Sequence, residues 1–166
     1  INSIPNQMLT DEEISELEVK YGEYLSNIVL EIIENVQTNP DIIQNKKNLI
    51  EKWGCLLALD DYGSGYANDN TLLSLKPDVI KLDIEMITGI EDDGDRQILV
   101  KNIIDYAHQR GIMVLAEGIE THTQMETLIS YGVDLMQGFY LARPAFDAIN
   151  SIDEKIINEI LDIRNK

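Results

Sequence analysis

At 166 residues, 44% of them hydrophobic, the chain is long enough for one domain with a real core and too short for two. A formal charge of -17 leaves no basic surface for a phosphate backbone, which excludes sequence-independent binding of DNA or RNA polymers and means that an anionic substrate would need bound cations. The single Cys55 has no partner in the chain, which fits a reducing, cytoplasmic setting and a plain core role. No apolar run reaches the roughly 18 residues of a membrane span, so a soluble chain is expected, with any membrane anchor of the parent protein lying outside it.

The chain opens on Ile1-Asn2-Ser3-Ile4, an extended stretch already under way at the first residue and without an initiator Met, as a fragment begins, and it turns at Pro5. Thr10-Asp11-Glu12-Glu13 is a capping box that predicts a helix to about Lys20. Asn27 to Ile33 is β-branched and apolar on both faces, as a buried parallel strand should be, with Glu31 inside it. Thr38 or Asn39, ahead of Pro40, starts a second helix with Ile42, Ile43, Leu49 and Ile50 on its apolar side, closed by Gly54. The run from Cys55 to Leu59 then ends in Asp60-Asp61-Tyr62-Gly63, two carboxylates and a glycine-bracketed loop. The pair reads either as a site for hard divalent cations or as a turn followed by a helix cap.

Pro77 to Asp83 predicts a further strand. From about Asp95 a helix carries Ile98, Leu99, Ile103, Ile104 and Ala107 and stops at Gly111. Ile112 to Ala116 is a strand ending in Glu117; Thr121-His122-Thr123-Gln124 caps another helix that runs to Gly132; Val133 to Met136 is a short strand ending at Gln137. The tail from Ser151-Ile152-Asp153-Glu154 is capped once more and opens a last helix whose Ile152, Ile156, Ile157, Ile160 and Ile163 form a core-docking stripe. Strand and helix alternate throughout, which predicts a parallel sheet with crossover helices.

Period-two alternation gives each strand a face that ends in a polar group: Asn2, Glu31, Asp60, then Lys81 and Asp83, then Glu117 and Gln137. Polar groups at the C-terminal ends of successive parallel strands are how a (β/α)8 barrel builds an active site. A doubly wound sheet binds at that edge too, but often with a glycine-rich phosphate loop, which the sequence lacks. Lys81, between Ile80 and Leu82, calls for a carboxylate or phosphate partner. His108 and His122 fall on helices away from the strand ends and read as surface residues. A barrel enzyme using Lys81 as base or Schiff-base amine is an alternative, which the adjacent Asp60-Asp61 pair disfavours.

With those residues in place, the chain resembles the EAL family of cyclic di-GMP phosphodiesterases from Asn2 to about Phe146. The matches are Ile1-Asn2-Ser3 with Pro5 and Gln7, Leu30-Glu31-Ile32-Ile33-Glu34, Asp60 to Tyr66, Ile80-Lys81-Leu82-Asp83, Ala116-Glu117-Gly118-Ile119-Glu120-Thr121, and Gln137-Gly138-Phe139 running to Arg143-Pro144. The resemblance implies an α/β fold, a (β/α)8 barrel of EAL type, and hydrolysis of cyclic di-GMP to linear pGpG with two cations, Mg²⁺ or Mn²⁺. It implies that Asn2, Glu31 and Asp60 bind one cation and that Asp60, Asp61 and Glu117 help hold the other. Lys81 would orient the attacking water or contact the phosphate, and Gln137 would support the water and the metal shell. Glu34 would steady the loop after the Asp-Asp pair, and Ser64 and Asp83 belong to the substrate and loop set. Arg143, ahead of Pro144, fits either substrate contact or a surface ion pair.

The sequence also departs from the family. No Glu-Ala-Leu tripeptide is present, Ile33 stands where threonine is usual, Tyr62 where phenylalanine is usual, and Ala67-Asn68 where two serines are usual. The first two β-α units are read as missing, so residues 1–166 form a single EAL-type domain with about six of eight units, impaired as an isolated enzyme. The alternative reading is an inactive domain that acts as a cyclic di-GMP receptor or protein-interaction module. Uncovered sheet edges predict a homodimer, and regulatory or sensor domains are expected elsewhere in the parent protein.

Overall fold

The structure, a computed structural model, describes residues 1–4, 6–33, 39–63, 69–147 and 150–165, with the backbone alone for 69–71. The chain divides into two compact units, Ile1–Val79 and Ile80–Lys166.

The first unit contains β1 (Asn2–Ser3), α1 (Asp11–Tyr21), a 3-10 turn (Gly22–Asn27), β2 (Val29–Ile33), α2 (Pro40–Trp53), β3 (Leu56–Tyr62) and α3 (Asp69–Leu75). The expected capping box starts α1: Thr10 Oγ1 accepts from the Glu13 amide at 3.2 Å and Glu13 Oε2 accepts from the Thr10 amide at 2.8 Å. At the start of α2 the Asn39 side chain accepts from the Asp41 amide at 2.9 Å, and Pro40 occupies the first turn. Gly54 closes that helix at φ +66°, in the left-handed region that glycine enters without a Cβ clash. The predicted turn at Pro5 lies outside the described residues, and the pattern did not reveal the 3-10 turn or α3.

β1, β2 and β3 pair in parallel, with Asn2 opposite Glu31, Glu31 opposite Ala58 and Ile33 opposite Asp60. Leu57, Ala58 and Leu59 are all buried, so β3 is covered on both faces as its unbroken apolar run requires. Cys55, also buried, has its thiol pKa pushed up by burial. Lys46 is a buried lysine on α2 that donates to the Ile4 carbonyl at 2.6 Å; burial lowers its pKa. It falls three residues after Ile43 and four before Ile50, within the apolar stripe, and that spacing was the available signal.

β4 (Val79–Leu82) crosses the division, and all four of its residues are buried. The second unit continues with α4 (Ile84–Ile87), α5 (Gly94–Gln109), β5 (Met113–Ala116), α6 (His122–Ser130), β6 (Leu135–Met136) and α7 (Glu154–Arg164). β5 and β6 pair in parallel, Leu115 opposite Leu135 and Ala116 opposite Met136. Asp83 is not the last strand residue expected: β4 stops at Leu82, and Asp83 Oδ1 caps α4 by accepting from the Glu85 amide at 2.7 Å.

α5 buries Val100, Ile104 and Ala107 completely, whereas Ile98 and Leu99 are 62% and 53% exposed. At roughly 100° per residue Ile98 and Leu99 fall about 120° and 140° from Ile104, away from the buried face. On α7 only Ile156 is buried, and the helix docks on α6.

Among the described residues a carboxylate clip occurs once in each unit. The Asp78 amide donates to Leu57 O at 2.8 Å while its Oδ2 accepts from the Leu57 amide at 2.8 Å; Asp134 does the same with Val114, at 3.1 and 2.7 Å. Asp134 Oδ2 also lies 3.0 Å from His108 Nε2. Each clip pairs the second residue of a strand with the residue that leads into the next one. Asp134→Ala is expected to cost about 1–2 kcal/mol by leaving the Val114 amide unpaired, measured as a lower urea midpoint with an unchanged denaturant slope.

Candidate active site

In the first unit the parallel register sets Asn2, Glu31 and Ala58 in one row across β1, β2 and β3. Asp60 lies two residues beyond Ala58 and so shares that face. Asn2 is exposed, Glu31 half-buried and Asp60 buried at 8% exposure, so the row deepens toward β3.

Asp61 has φ +55°, a left-handed conformation inside a strand and uncommon for any residue but glycine. In a regular strand Asp60 and Asp61 would point to opposite faces; the positive φ breaks that alternation. A carboxylate oxygen of each comes within 4.8 Å of the other. Neither starts a turn or caps a helix, since β3 continues through Tyr62. Two carboxylates this close repel, and the all-oxygen donor set around them suits hard divalent cations. Glu34 and Ser64 lie outside the described residues, as do 65–68.

In the second unit Lys81 finds the anion its burial demands. Its Nζ is 3.0 Å from Glu117 Oε1, with side chains 11% and 21% exposed. Glu117 follows β5 directly and its amide donates to Leu82 O at 3.2 Å; Gln137 follows β6 and its amide donates to Ala116 O at 2.9 Å. Gly118 takes φ +69°, where a Cβ would collide with the Ile84 side chain, and a Cβ on Gly138 would collide with the Ile119 backbone. These glycines let the turns after β5 and β6 close on each other.

A cavity of about 490 Å³ opens beside Gln137 and includes Glu120, Phe139, Arg143 and Asp147 in its lining. Arg143 stacks its guanidinium 4.7 Å from the Phe139 ring centroid, so it faces this cavity. Asp83 is occupied as a helix cap. His108 is the partner of Asp134 and His122 meets the Tyr140 ring edge-on; both are exposed helix residues, as expected. The sequence reading missed Tyr140 and Glu159, whose hydrogen bond joins the loop after β6 to α7. No local pattern signals a pair nineteen residues apart.

The fold and these strand ends are those of an α/β protein of the incomplete (β/α)8 type, with six strands among the described residues. The EAL domain model matches residues 1–144, and the chain belongs to that family. Cyclic di-GMP phosphodiesterase PdeF of Escherichia coli (strain K12) is 31% identical over 144 residues, 85% of this chain and 19% of that protein. The standalone versatile EAL protein of Vibrio cholerae O395, in its c-di-GMP bound form, superposes with a TM-score of 0.80 at 31% identity, covering 94% of this chain and 68% of that one. Klebsiella pneumoniae BlrP1, as a manganese/cy-diGMP complex at pH 9.0, gives 0.75 at 31% identity over 82% of this chain and 36% of that one; it is also known as a calcium/cy-diGMP complex. The chain thus spans about a fifth of the length of PdeF.

The Lys81–Glu117 contact is directly testable. A double-mutant cycle between Lys81→Met and Glu117→Gln, read by urea unfolding without added metal, is expected to return a coupling of about 1–3 kcal/mol.

Proposed function

We propose that residues 1–166 act as one EAL-type domain in a cyclic di-GMP phosphodiesterase of bacterial second-messenger signalling. The observation that carries this reading is the left-handed Asp61, which turns two adjacent strand-end carboxylates toward each other in a chain related to PdeF and BlrP1. Asn2, Glu31 and Asp60 would hold one divalent cation, and Asp60, Asp61 and Glu117 the other; Mg²⁺ and Mn²⁺ fit the oxygen donors. When bound, such a cation pair lowers the pKa of a shared water and offsets phosphodiester charge.

The remaining work falls to the chain's own groups. Lys81, paired with Glu117, orients the attacking water or contacts the phosphate. Gln137 supports the water from the end of β6. Arg143 and Asp83 belong to the substrate side, and the stacked guanidinium of Arg143 is suited to a nucleobase or a phosphate. Glu34 would steady the loop after the Asp60-Asp61 pair, and Ser64 would belong to the substrate and loop set. The product is linear pGpG, and the setting is cytoplasmic, with regulatory or sensor domains in the parent protein.

A second reading is an inactive cyclic di-GMP receptor or interaction module. Hydrolysis of cyclic di-GMP with Mn²⁺ separates the two. Slow, metal-dependent release of pGpG is expected, reduced about 100-fold or more by Glu117→Gln. Binding without turnover points to the receptor, and loss of both removes the nucleotide from the account. We also propose a homodimer, because β1 ends the strand row of its unit with Ile1 and Ile4 68% and 61% exposed. Sedimentation velocity at high concentration is expected to show a dimer, and a single monomer boundary counts against it.

A further inference from the structure

The loop after β6 is held from two sides. Ile119, fully buried, donates its amide to Gln137 O at 3.1 Å and accepts from the Tyr140 amide at 3.0 Å. Gly138 permits that approach, since any Cβ there would meet the Ile119 backbone. On the other side the Tyr140 hydroxyl donates to Glu159 Oε2 on α7 at 2.7 Å, and its ring meets His122 of α6 edge-on with centroids 6.3 Å apart. Among the described residues no hydrogen bond holds the Gln137 side-chain amide, so its place is set through the backbone. Tyr140 is where the turn after β5, the Gln137 loop and α7 meet.

We propose that Tyr140 is a positioning residue for Gln137, anchored by Glu159, so that α7, outside the stretch matched by the EAL domain model, sets the geometry of the catalytic loop. This rests on the reading that Gln137 supports the attacking water. The hydrogen bond raises the pKa of the Tyr140 phenol and lowers that of the Glu159 carboxyl, so both partners keep their bonding forms through neutral pH. A tether that merely docked α7 would leave the Ile119 clamp intact when cut.

Amide hydrogen exchange resolved by residue, together with Mn²⁺-dependent turnover of cyclic di-GMP, tests this on the full chain. Tyr140→Phe keeps the ring against His122 and removes the hydroxyl; Glu159→Ala removes the acceptor; Glu159→Gln keeps an acceptor oxygen. Exchange of the Ile119 amide is expected to speed up about tenfold in Tyr140→Phe and in Glu159→Ala, and to stay near the parent rate in Glu159→Gln. The same two variants lower kcat about fivefold or more with KM unchanged, and their combination is no worse than Tyr140→Phe alone. Unchanged Ile119 exchange in Tyr140→Phe, with faster exchange confined to α7, overturns the proposal. A parent chain that binds no cyclic di-GMP counts against the phosphodiesterase reading, while the Ile119 rates still decide the clamp.

Discussion

An ammonium placed in a strand between Ile80 and Leu82, both fully buried, has to meet an anion, because an unpaired charge at that depth costs several kcal/mol. Lys81 meets Glu117 at 3.0 Å, and much of the second unit follows from that contact. It requires β5 to deliver its first post-strand residue beside β4, which the Glu117 amide on Leu82 O accomplishes. It then requires the chain to leave sharply, which Gly118 does in the left-handed region above Ile84. The turn that follows is pinned by Ile119 to the Gln137 loop. One ion pair, one positive φ and one close glycine contact place the Lys81 and Glu117 side chains and the backbone of Gln137.

The first unit reaches a comparable result by strain rather than pairing. Asp61 holds φ +55° within β3, a conformation costing an L-residue roughly 1–2 kcal/mol. What the strain achieves is the return of a second carboxylate to the side of the first. A strand with regular alternation would have sent it to the opposite face. Glycine at that position would remove the strain together with the second carboxylate.

Acidic residues are abundant, and their jobs differ. Asp78 and Asp134 clip strand starts through paired backbone bonds, and Asp83, Asp93 and Asp153 cap helices. Glu18 holds Trp53 and Lys52 against α1. The charge of -17 is therefore in part the material of turns and caps. That separation matters for the site, because acidity alone would have marked the whole surface. The carboxylates set apart are those at strand ends, with burial and a distorted or paired geometry.

Local rules carried the sequence reading where the interactions were local. The Thr10 and Thr121 capping boxes, Pro40 at a helix start, Gly54 at its end and the apolar run of β3 each depend on neighbours within a few residues, and each was legible. The residues at the strand ends were legible too, since alternation and position along a strand need no tertiary information. Tertiary structure decided the rest. Whether Lys81 paired with Glu117, that Lys46 would reach the Ile4 carbonyl from inside an apolar stripe, and that Tyr140 would reach Glu159 all turn on segments distant in the chain. Likewise the face of α5 that is buried, which leaves Ile98 and Leu99 exposed, is decided by the core it packs on. Hydrogen-bond and packing preferences act over a few ångströms, so sequence reveals them only when the chain itself keeps the partners that close.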